Sequence, residues 1–278
     1  MSAAGTVDRY GLVGHPVSHS RSPLIHRRFA EQTGQQIEFE LIDVEPGNFG
    51  QEVTRFRQRG GRGLNVTLPF KHDAFRFSDR LSERAQLAEA VNTLAWQADG
   101  EVFGDNTDGA GLVRDLQSNL DIRLRGLRVL LLGAGGAARG ALGPLGAAQP
   151  DEIIVANRTS SRAVELARRF APKIPARACD YADLDGFFDL IINATSASLN
   201  NQVPPLPDGL VGKHTMAYDM MYQAEPTAFM HWATGQGAAR VADGVGMLVE
   251  QAAESFRLWR GVSPETLAVR QEIHRLLR

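Results

Sequence analysis

The run RVLLLGAGGAARG, residues 128 to 140, constrains the fold of this chain more than any other stretch. Its largely apolar start, 128–132, predicts a strand buried on both faces, as in a parallel sheet. The strand leads into Gly133, Ala134, Gly135, Gly136 and Ala137, which with Ala138 have the form G-x-G-x-x-A. Glycines there let the backbone approach a pyrophosphate, whose charge then meets the free N–H groups of the following helix. A tight glycine-rich turn is the alternative, but a strand, glycines and a helix in register favour a dinucleotide site.

The end of the next predicted strand, at 153–157, indicates which dinucleotide is bound. An NAD site usually has an acidic residue here, which accepts hydrogen bonds from the ribose hydroxyls. This chain has no acid and continues with Asn157, Arg158, Thr159, Ser160, Ser161 and Arg162. Either arginine alone is best read as part of a solvated helix face. Together, two guanidinium groups beside hydroxyl residues suit a 2′-phosphate, so the pattern favours NADP(H).

Composition excludes several other classes of protein. The chain has 278 residues, enough for about two domains, and 30 basic against 32 acidic residues leave a formal net charge of −2. We therefore expect no nucleic acid and no membrane as a partner. The one cysteine, Cys179, excludes intramolecular disulfides and cysteine-cluster metal sites, and it fits a reducing compartment. The N-terminal segment MSAAGTVDRYG lacks the features of a signal peptide, so we expect a cytoplasmic protein. No pair among the seven histidines has metal-ligand spacing, so we expect no bound metal.

Short aliphatic runs alternate with helical patterns, which is typical of α/β layering around a mostly parallel sheet. The first half has predicted strands at 9–14, 37–44 and 63–68, helices at 23–32 and 48–58, and a hairpin at 91–106 around Asp99-Gly100. After a helix at 108–118, the second half has predicted strands at 128–132, 153–157, 189–194, about 215–220 and 239–242, followed by helices to the end. We predict an α/β protein of two domains: an N-terminal, mostly parallel substrate domain of residues 1–107 plus 247–278, and a Rossmann-like domain of residues 108–246.

The segment GHPVSHSRSP, residues 14–23, is polar where a strand end leads into a helix. Ser22 before Pro23 reads as a helix N-cap followed by proline at the first helical position. Capping does not explain Ser20. Two hydroxyls beside a helix N-terminus also form a neutral cradle for a carboxylate, so both interpretations of Ser20 and Ser22 stay open.

The segment NVTLPFK, residues 65–71, places a lysine in the first turn of a predicted helix, against the positive end of the helix dipole. Asn65 and Thr67 alternate with the apolar residues and point toward the carboxyl end of their strand, where open α/β sheets bind ligands. Further along the chain, Asn92 and the stretch GDNTDG at 104–109 are also polar, and Asp108 opens a helix as an N-cap would. Our interpretation is that Lys71 and Asp108 form a pair that passes a proton to or from a substrate hydroxyl.

Nine motifs together resemble the shikimate dehydrogenase family over essentially the whole chain. They are GHPVSHSRSPLIH, NVTLPFK, AVNTL, GDNTDGAGL, GAGGAARG, ANRTSSRA, INATSASL, YDMMY and ADGVGMLVEQAA. The resemblance implies NADPH-dependent reduction of 3-dehydroshikimate to shikimate in aromatic amino-acid biosynthesis. It also implies C-terminal helices that pack back on the first domain, a small-molecule substrate, and a monomer or homodimer.

The resemblance implies a role for individual residues as well. Ser20, Ser22 and Tyr222 contact the substrate carboxylate; Asn65, Thr67, Asn92 and Gln251 lie at the ring hydroxyls and neighbouring contacts. Lys71 and Asp108 are the catalytic pair, and Asp108 also binds substrate. On the cofactor side, residues 133–137 bind the pyrophosphate and 157–162 the adenosine phosphate, while Met220 and Gly244 lie near the nicotinamide and Glu83 at the edge of the site.

His15 and Ala197 depart from the family wording, which has asparagine and glycine or serine there; neither has an assigned role. A quinate or dual quinate/shikimate dehydrogenase using NAD is the nearest rival, and the lack of an acid at 157–159 argues against it. A methylene-tetrahydrofolate dehydrogenase also combines a lysine with a Rossmann half, but it has no use for the serine pair. A ligand sensor on the same scaffold would be expected to have lost Lys71 or Asp108.

Overall fold

The computed structural model describes residues 7–278; the first part of the segment used to exclude a signal peptide, residues 1–6, lies outside this range. The chain forms two compact units. One comprises the residues up to Thr107 together with Val249–Gln271, and the other comprises Asp108–Leu248 together with Glu272–Arg278. Within residues 7–278, no helix has both the length and the apolar character needed to cross a membrane.

The first unit is built on a mixed six-stranded sheet of order β2-β1-β3-β5-β6-β4. Its strands are β1 Asp8–Gly14, β2 Ile37–Asp43, β3 Gly61–Val66, β4 Arg80–Leu81, β5 Thr93–Trp96 and β6 Val102–Asp105. Strands β1, β2 and β3 are parallel, whereas β5 is antiparallel to both of its neighbours. The predicted hairpin explains the β5–β6 pair, since its short turn reverses the chain and no crossover helix separates the two strands.

Four helices connect these strands, namely α1 Ser22–Thr33, α2 Phe49–Gln58, α3 Lys71–Phe77 and α4 Glu83–Ala88. Helix α2 shows the principle of their packing: Phe49, Val53 and Phe56 recur at helical spacing, and all three are buried. They join Leu64, Val66 and other strand residues in one apolar core. Gly61 has no room for a side chain, because a Cβ there would lie 2.1 Å from the Phe56 ring.

The second unit has an all-parallel sheet of order β12-β11-β10-β7-β8-β9, which is the strand order of a Rossmann fold. Its strands are β7 Arg128–Leu132, β8 Glu152–Ala156, β9 Ala176–Cys179, β10 Phe188–Asn193, β11 Val211–Asp219 and β12 Arg240–Ala242. The residues of β7 from Val129 to Leu132 are fully buried, as the apolar run predicts for a central parallel strand.

The helices of the second unit are α5 Asp108–Arg114, α6 Gly136–Ala147, α7 Ser160–Phe170 and α8 Ala228–Gly235. The predicted helix 108–118 is present, but it is α-helical only to Arg114 and continues as a π-helical turn over Asp115–Asn119. Asp115 is buried there and accepts a hydrogen bond of 2.8 Å from the Tyr218 hydroxyl. It lies so close to Gly246 that a Cβ at 246 would meet its carboxylate at 2.0 Å.

The two last helices, α9 Val245–Arg260 and α10 Leu267–Leu277, contribute residues to both units. In the first unit, Trp259 of α9 stacks on Tyr10 with ring centroids 4.7 Å apart and donates from Nε1 to the Leu94 carbonyl at 3.0 Å. The Arg260 guanidinium donates to the Tyr10 hydroxyl and to Gln35. These contacts confirm that the C-terminal helices pack on the first domain, and the architecture confirms the predicted α/β class.

Candidate functional site

Topology brings the predicted polar segments of the first unit to one edge of its sheet. The parallel strands β1 and β3 end at that edge, and the antiparallel β5 therefore starts there and β6 ends there. The Val66 N–H donates to the Asn92 carbonyl at 2.7 Å, and the Asn92 N–H donates to the Asp105 carbonyl at 3.0 Å. Segments that are distant in sequence are thus joined by backbone hydrogen bonds through Asn92.

The loop after β1 is fixed against the loop after β3. The His15 N–H donates to the Leu68 carbonyl at 3.0 Å, and the Thr67 N–H donates to the Val13 carbonyl at 2.9 Å. Gly14 allows this approach, because a Cβ there would lie 2.4 Å from the Thr67 side chain.

The strand predicted at 63–68 is too long: β3 ends at Val66, and Leu68 is largely exposed instead of sharing the buried face of Val66.

The structure corrects the interpretation of Ser22 as an N-cap. Helix α1 already includes Ser22, its N-cap is Arg21, and that residue makes no capping hydrogen bond through its side chain. The Ser20 hydroxyl fills the role that was assigned to Ser22, since it accepts from the Ser22 N–H at 3.2 Å. The Ser20 hydroxyl also donates to the Ser22 Oγ at 3.1 Å, which leaves the Ser22 proton to another acceptor.

Lys71 is the first residue of α3, as the sequence predicts, and its side chain is half-buried. Its carbonyl accepts a hydrogen bond of 2.9 Å from the Val91 N–H, which holds the start of α3 next to Asn92. Asp108 is the first residue of α5 in the second unit and is buried.

The predicted contacts Asn65, Asn92 and Gln251 lie in one hydrogen-bonded network. The Asn65 Nδ2 lies 3.0 Å from the Ser255 Oγ on α9, and the Asn92 Nδ2 lies 3.3 Å from the Gln251 Oε1 on the same helix. Thr107, at the end of the unit, donates from its backbone N–H to the Asn92 Oδ1 at 2.8 Å. The network fixes these amides in defined orientations, as a ligand site with few mobile groups requires.

An ion cluster supports the segment that precedes Asp108. Arg84 on α4 makes a bidentate pair with the buried Asp105, with Nε–Oδ1 at 2.7 Å, and also contacts Glu254 on α9 at 3.1 Å. The Ser82 hydroxyl and the Asn106 N–H donate to the same Asp105 oxygen. Hydrogen bonds from Arg257 and then Arg84 lower the pKa of Glu254 to about 2, despite its partial burial. Glu83, predicted at the cofactor edge, is the exposed first residue of α4.

In the second unit, the glycine loop has the geometry that a pyrophosphate needs. Gly133 has φ 109°, which only glycine adopts without strain, and a Cβ there would approach the Ala194 carbonyl to 3.0 Å. Gly135 is the N-cap of α6 and, as a glycine, has no side chain that could cap the helix. A Cβ on Gly135 or Gly136 would meet no described atom within 4 Å, so the helix N-terminus is open to a ligand.

The segment after β8 meets the requirement for a phosphate-reading site. Arg158 and Arg162 are exposed, with Arg162 on the first turn of α7, and the Asn157 amide donates to the Thr159 carbonyl at 2.9 Å. The Tyr181 hydroxyl lies against the backbone of Arg158. Burial raises the pKa of the Tyr181 hydroxyl further above its ordinary value, so this group adds no charge to the loop at neutral pH. The observed residues fit NADP(H).

A buried cluster holds the two residues predicted near the nicotinamide. Asp219 accepts hydrogen bonds from the hydroxyls of Ser198 and Thr227, each at 2.6 Å, and from the Asn193 amide at 3.1 Å. The Met221 N–H donates to the Asp219 Oδ1 at 3.0 Å and the Met220 N–H donates to the Asn193 carbonyl at 3.0 Å, so the cluster holds the start of the segment that leads to Tyr222. Gly244 touches Met220: a Cβ at 244 would lie 2.2 Å from the Met220 carbonyl oxygen.

Sequence reasoning missed Arg84, Asp219, Tyr181 and His26 as parts of these sites. Asp219 and Asn193 lie within the motifs YDMMY and INATSASL, so those motifs could have identified them. His26 is likewise the last residue of the motif GHPVSHSRSPLIH, whereas no local pattern distinguishes Arg84, because its partners are distant in sequence. Among residues 7–278 no cluster of histidine, cysteine and acidic side chains could hold a metal ion.

The chain combines a Rossmann unit, which has an open glycine loop and two nearby arginines, with an α/β unit whose sheet edge is polar. This combination is typical of a dinucleotide-dependent oxidoreductase. Family models agree: the shikimate dehydrogenase substrate-binding domain matches residues 12–94, the shikimate/quinate 5-dehydrogenase model matches 115–201, and the shikimate 5-dehydrogenase C-terminal domain matches 244–274. The chain belongs to the NADP-dependent shikimate dehydrogenase family. Members of this family are oxidoreductases of aromatic biosynthesis.

Relatives support this membership over the full length. The shikimate dehydrogenase (NADP(+)) of Aromatoleum aromaticum is 55% identical over 98% of this chain and 99% of its own. An Ael1 enzyme from Pseudomonas putida is 48% identical with a TM-score of 0.91, covering 95% and 97% of the two chains. The shikimate 5-dehydrogenase of Thermus thermophilus, solved in complex with NADP(H) and shikimate, is 34% identical with a TM-score of 0.85, covering 98% and 100%.

Proposed function

We propose that this chain reduces 3-dehydroshikimate reversibly to shikimate with NADPH, and that Lys71 and Asp108 handle the proton. Family membership supports the overall reaction. The observation that supports Lys71 is the backbone bond between its carbonyl and Val91, since it holds the lysine at the sheet edge that also contains Asn92 and Thr67. The resemblance to the family supports Asp108.

The nicotinamide, when bound, supplies the hydride for the C3 carbonyl. In the reduction, the Lys71 ammonium donates a proton to the carbonyl oxygen as negative charge develops there. In the reverse reaction, the Asp108 carboxylate helps to take the proton from the substrate hydroxyl. Ser20, Ser22 and Tyr222 bind the substrate carboxylate; the Ser22 hydroxyl suits this role because Ser20 occupies only its acceptor side. Asn65, Thr67, Asn92 and Gln251 orient the ring.

The cofactor assignment follows the same division of roles. Residues Gly133, Ala134, Gly135, Gly136 and Ala137 receive the pyrophosphate, and Asn157 to Arg162 receive the 2′-phosphate. Met220 and Gly244 border the nicotinamide, and Glu83 lies at the edge of the cofactor. The open glycine loop and the exposed arginines support this arrangement.

Initial rates at the nicotinamide absorbance band test the catalytic assignment. Lys71→Ala is expected to lower kcat by about 10²-fold or more while KM for shikimate changes by only a few-fold, because the lost interaction belongs to the transition state. Lys213→Ala, at an exposed position on β11, is the matched control and should behave like wild type. Near-normal turnover by Lys71→Ala would contradict the assignment.

A dehydrogenase of broader specificity that also oxidises quinate is the second candidate, since one matched family model covers both substrates. Rates with shikimate and quinate, each with NADP+ and NAD+, separate the two. We expect shikimate with NADP+ to be the preferred pair, and comparable rates with quinate would favour the broader enzyme.

The proposal extends to location and assembly. The single free cysteine and the small net charge fit a cytoplasmic enzyme without nucleic-acid or membrane partners. The enzyme is a monomer or homodimer, which light scattering of the purified protein would determine.

A further inference from the structure

His26 is a fully buried histidine on α1 that the proposed chemistry does not use. Its ring stacks on Phe39, with centroids 4.3 Å apart, and lies 5.3 Å from the ring of Trp259. The His26 Nε2 lies 3.0 Å from the Asn65 Oδ1, whereas Nδ1 has no hydrogen-bond partner among residues 7–278. Burial lowers the pKa of His26 to about 3, so the ring is neutral and carries one proton.

The neighbours of Asn65 determine which ring nitrogen carries that proton. The Asn65 Nδ2 lies 3.3 Å from the Asn92 carbonyl oxygen, a group that only accepts hydrogen bonds. The NH2 of Asn65 therefore faces Asn92 and Ser255, and its Oδ1 faces the imidazole. Because this oxygen can only accept, the His26 Nε2 must be the donor.

The orientation of the Asn92 side-chain amide can be assigned in the same way. The Thr93 hydroxyl donates to the Asn92 Oδ1 at 2.9 Å, and so does the Thr107 backbone N–H at 2.8 Å. The backbone N–H can only donate, which fixes the oxygen of Asn92 on that side. The Asn92 NH2 consequently points to the Thr107 Oγ1 at 2.9 Å and to the Gln251 Oε1 at 3.3 Å.

We infer that His26 is a positioning residue of the substrate site: donation from its Nε2 to the Asn65 Oδ1 holds Asn65 with its NH2 toward the Asn92 carbonyl and Ser255, and so keeps the network that carries Asn92 and Gln251 in place. The link to substrate binding rests on the proposed function. The position of the proton on Nε2 follows from the hydrogen bonds alone and is independent of the proposed function. A side chain that only fills space at position 26 would not need this proton.

Three substitutions separate donation from packing. His26→Phe keeps an aromatic ring against Phe39 but leaves the buried Asn65 oxygen unpaired, so KM for shikimate should rise about tenfold while kcat changes less than about threefold. His26→Gln offers an N–H near the position of Nε2 and should restore KM to within about twofold. His26→Asn offers its N–H near the position of Nδ1 and should behave like His26→Phe.

Phe29→Leu is the control for lost packing, because Phe29 is buried on the same helix and contacts the His26 ring without joining the network. It should lower the melting temperature but leave KM for shikimate within about twofold. If His26→Phe folds and keeps a wild-type KM, or if His26→Asn restores KM as well as His26→Gln does, the inference is wrong.

Nitrogen-15 NMR of the wild-type imidazole gives a readout that does not depend on any variant folding. We expect a proton on Nε2 and an unprotonated Nδ1; a proton on Nδ1 would overturn the inference. Wild-type protein that shows the expected tautomer but does not oxidise shikimate would instead contradict the proposed function, so the two failures are distinct.

Discussion

Replacing Arg84 by methionine should destabilise the first unit through the charge that remains buried. The Arg84 side chain is 26% exposed and its partner Asp105 only 5%, so the pair is mostly shielded from water. Removing one partner of a buried ion pair costs about 3–5 kcal/mol, because the other charge keeps its desolvation penalty. Ser82 and the Asn106 N–H still donate to Asp105, and Arg84 is partly exposed. We therefore expect a loss of about 3 kcal/mol, at the low end of that range.

Urea unfolding followed by tryptophan fluorescence measures this loss. Trp96 and Trp259 belong to the first unit and Trp232 to the second, so a Trp232→Phe background reports on the first unit alone. Arg76→Met is the matched control: Arg76 pairs with Asp73 at 2.7 Å, but its side chain is 65% exposed. Exposed pairs contribute less than about 1 kcal/mol, so this variant should unfold almost like the parent.

The outcome that refutes the reasoning is a loss in Arg84→Met no larger than the loss in Arg76→Met. A double variant strengthens the test, since Asp105→Asn combined with Arg84→Met removes the buried charge together with its partner. The double variant should recover part of the stability that Arg84→Met loses.

Other parts of the molecule give three further predictions. Arg158→Ala should raise KM for NADPH about tenfold and leave KM for NADH nearly unchanged, with the exposed Arg168→Ala as control; equal weakening of both cofactors would show that Arg158 does not contact the phosphate. Gly109→Ala should cost about 1–3 kcal/mol in thermal unfolding, because its Cβ would lie 2.1 Å from the Gly140 carbonyl oxygen; unchanged stability would contradict the contact. The pKa of Glu254 is lowered from 4.5 to about 2, so its contribution to stability is complete above about pH 4.5 and is lost as pH falls toward 2. Between about pH 6 and pH 3, the unfolding free energy should therefore fall less in Glu254→Gln than in wild type, and an equal fall would exclude this role.

The sequence predicts the Rossmann unit well because its signals are local. The apolar run at 128–132 coincides with β7, and the glycine motif lies where a strand passes into a helix. Short edge strands were not predicted: β9, Ala176–Cys179, has only four residues, and β4 has two. Strands this short bury too few side chains to produce a recognisable alternation of apolar and polar residues in the sequence.

The site shows a similar limit. Ser20 and Ser22 could be identified as a pair, but only the backbone of the loop decides which of them caps the helix. The position of Asn92 depends on the antiparallel insertion of β5 beside β3, and His26 reaches Asn65 across 39 residues. Neither relationship leaves a spacing that a sequence pattern could contain.

The most direct test of the central claim, that Lys71 and Asp108 act together on one proton, is a double-mutant cycle in kcat for shikimate oxidation with NADP+. Residues that act as a unit give strongly non-additive losses. Lys71→Ala, Asp108→Asn and the double variant should each lose about 10²-fold or more, with the double variant scarcely worse than the slower single one. Losses that multiply in the double variant would contradict a shared step and assign the two residues independent roles.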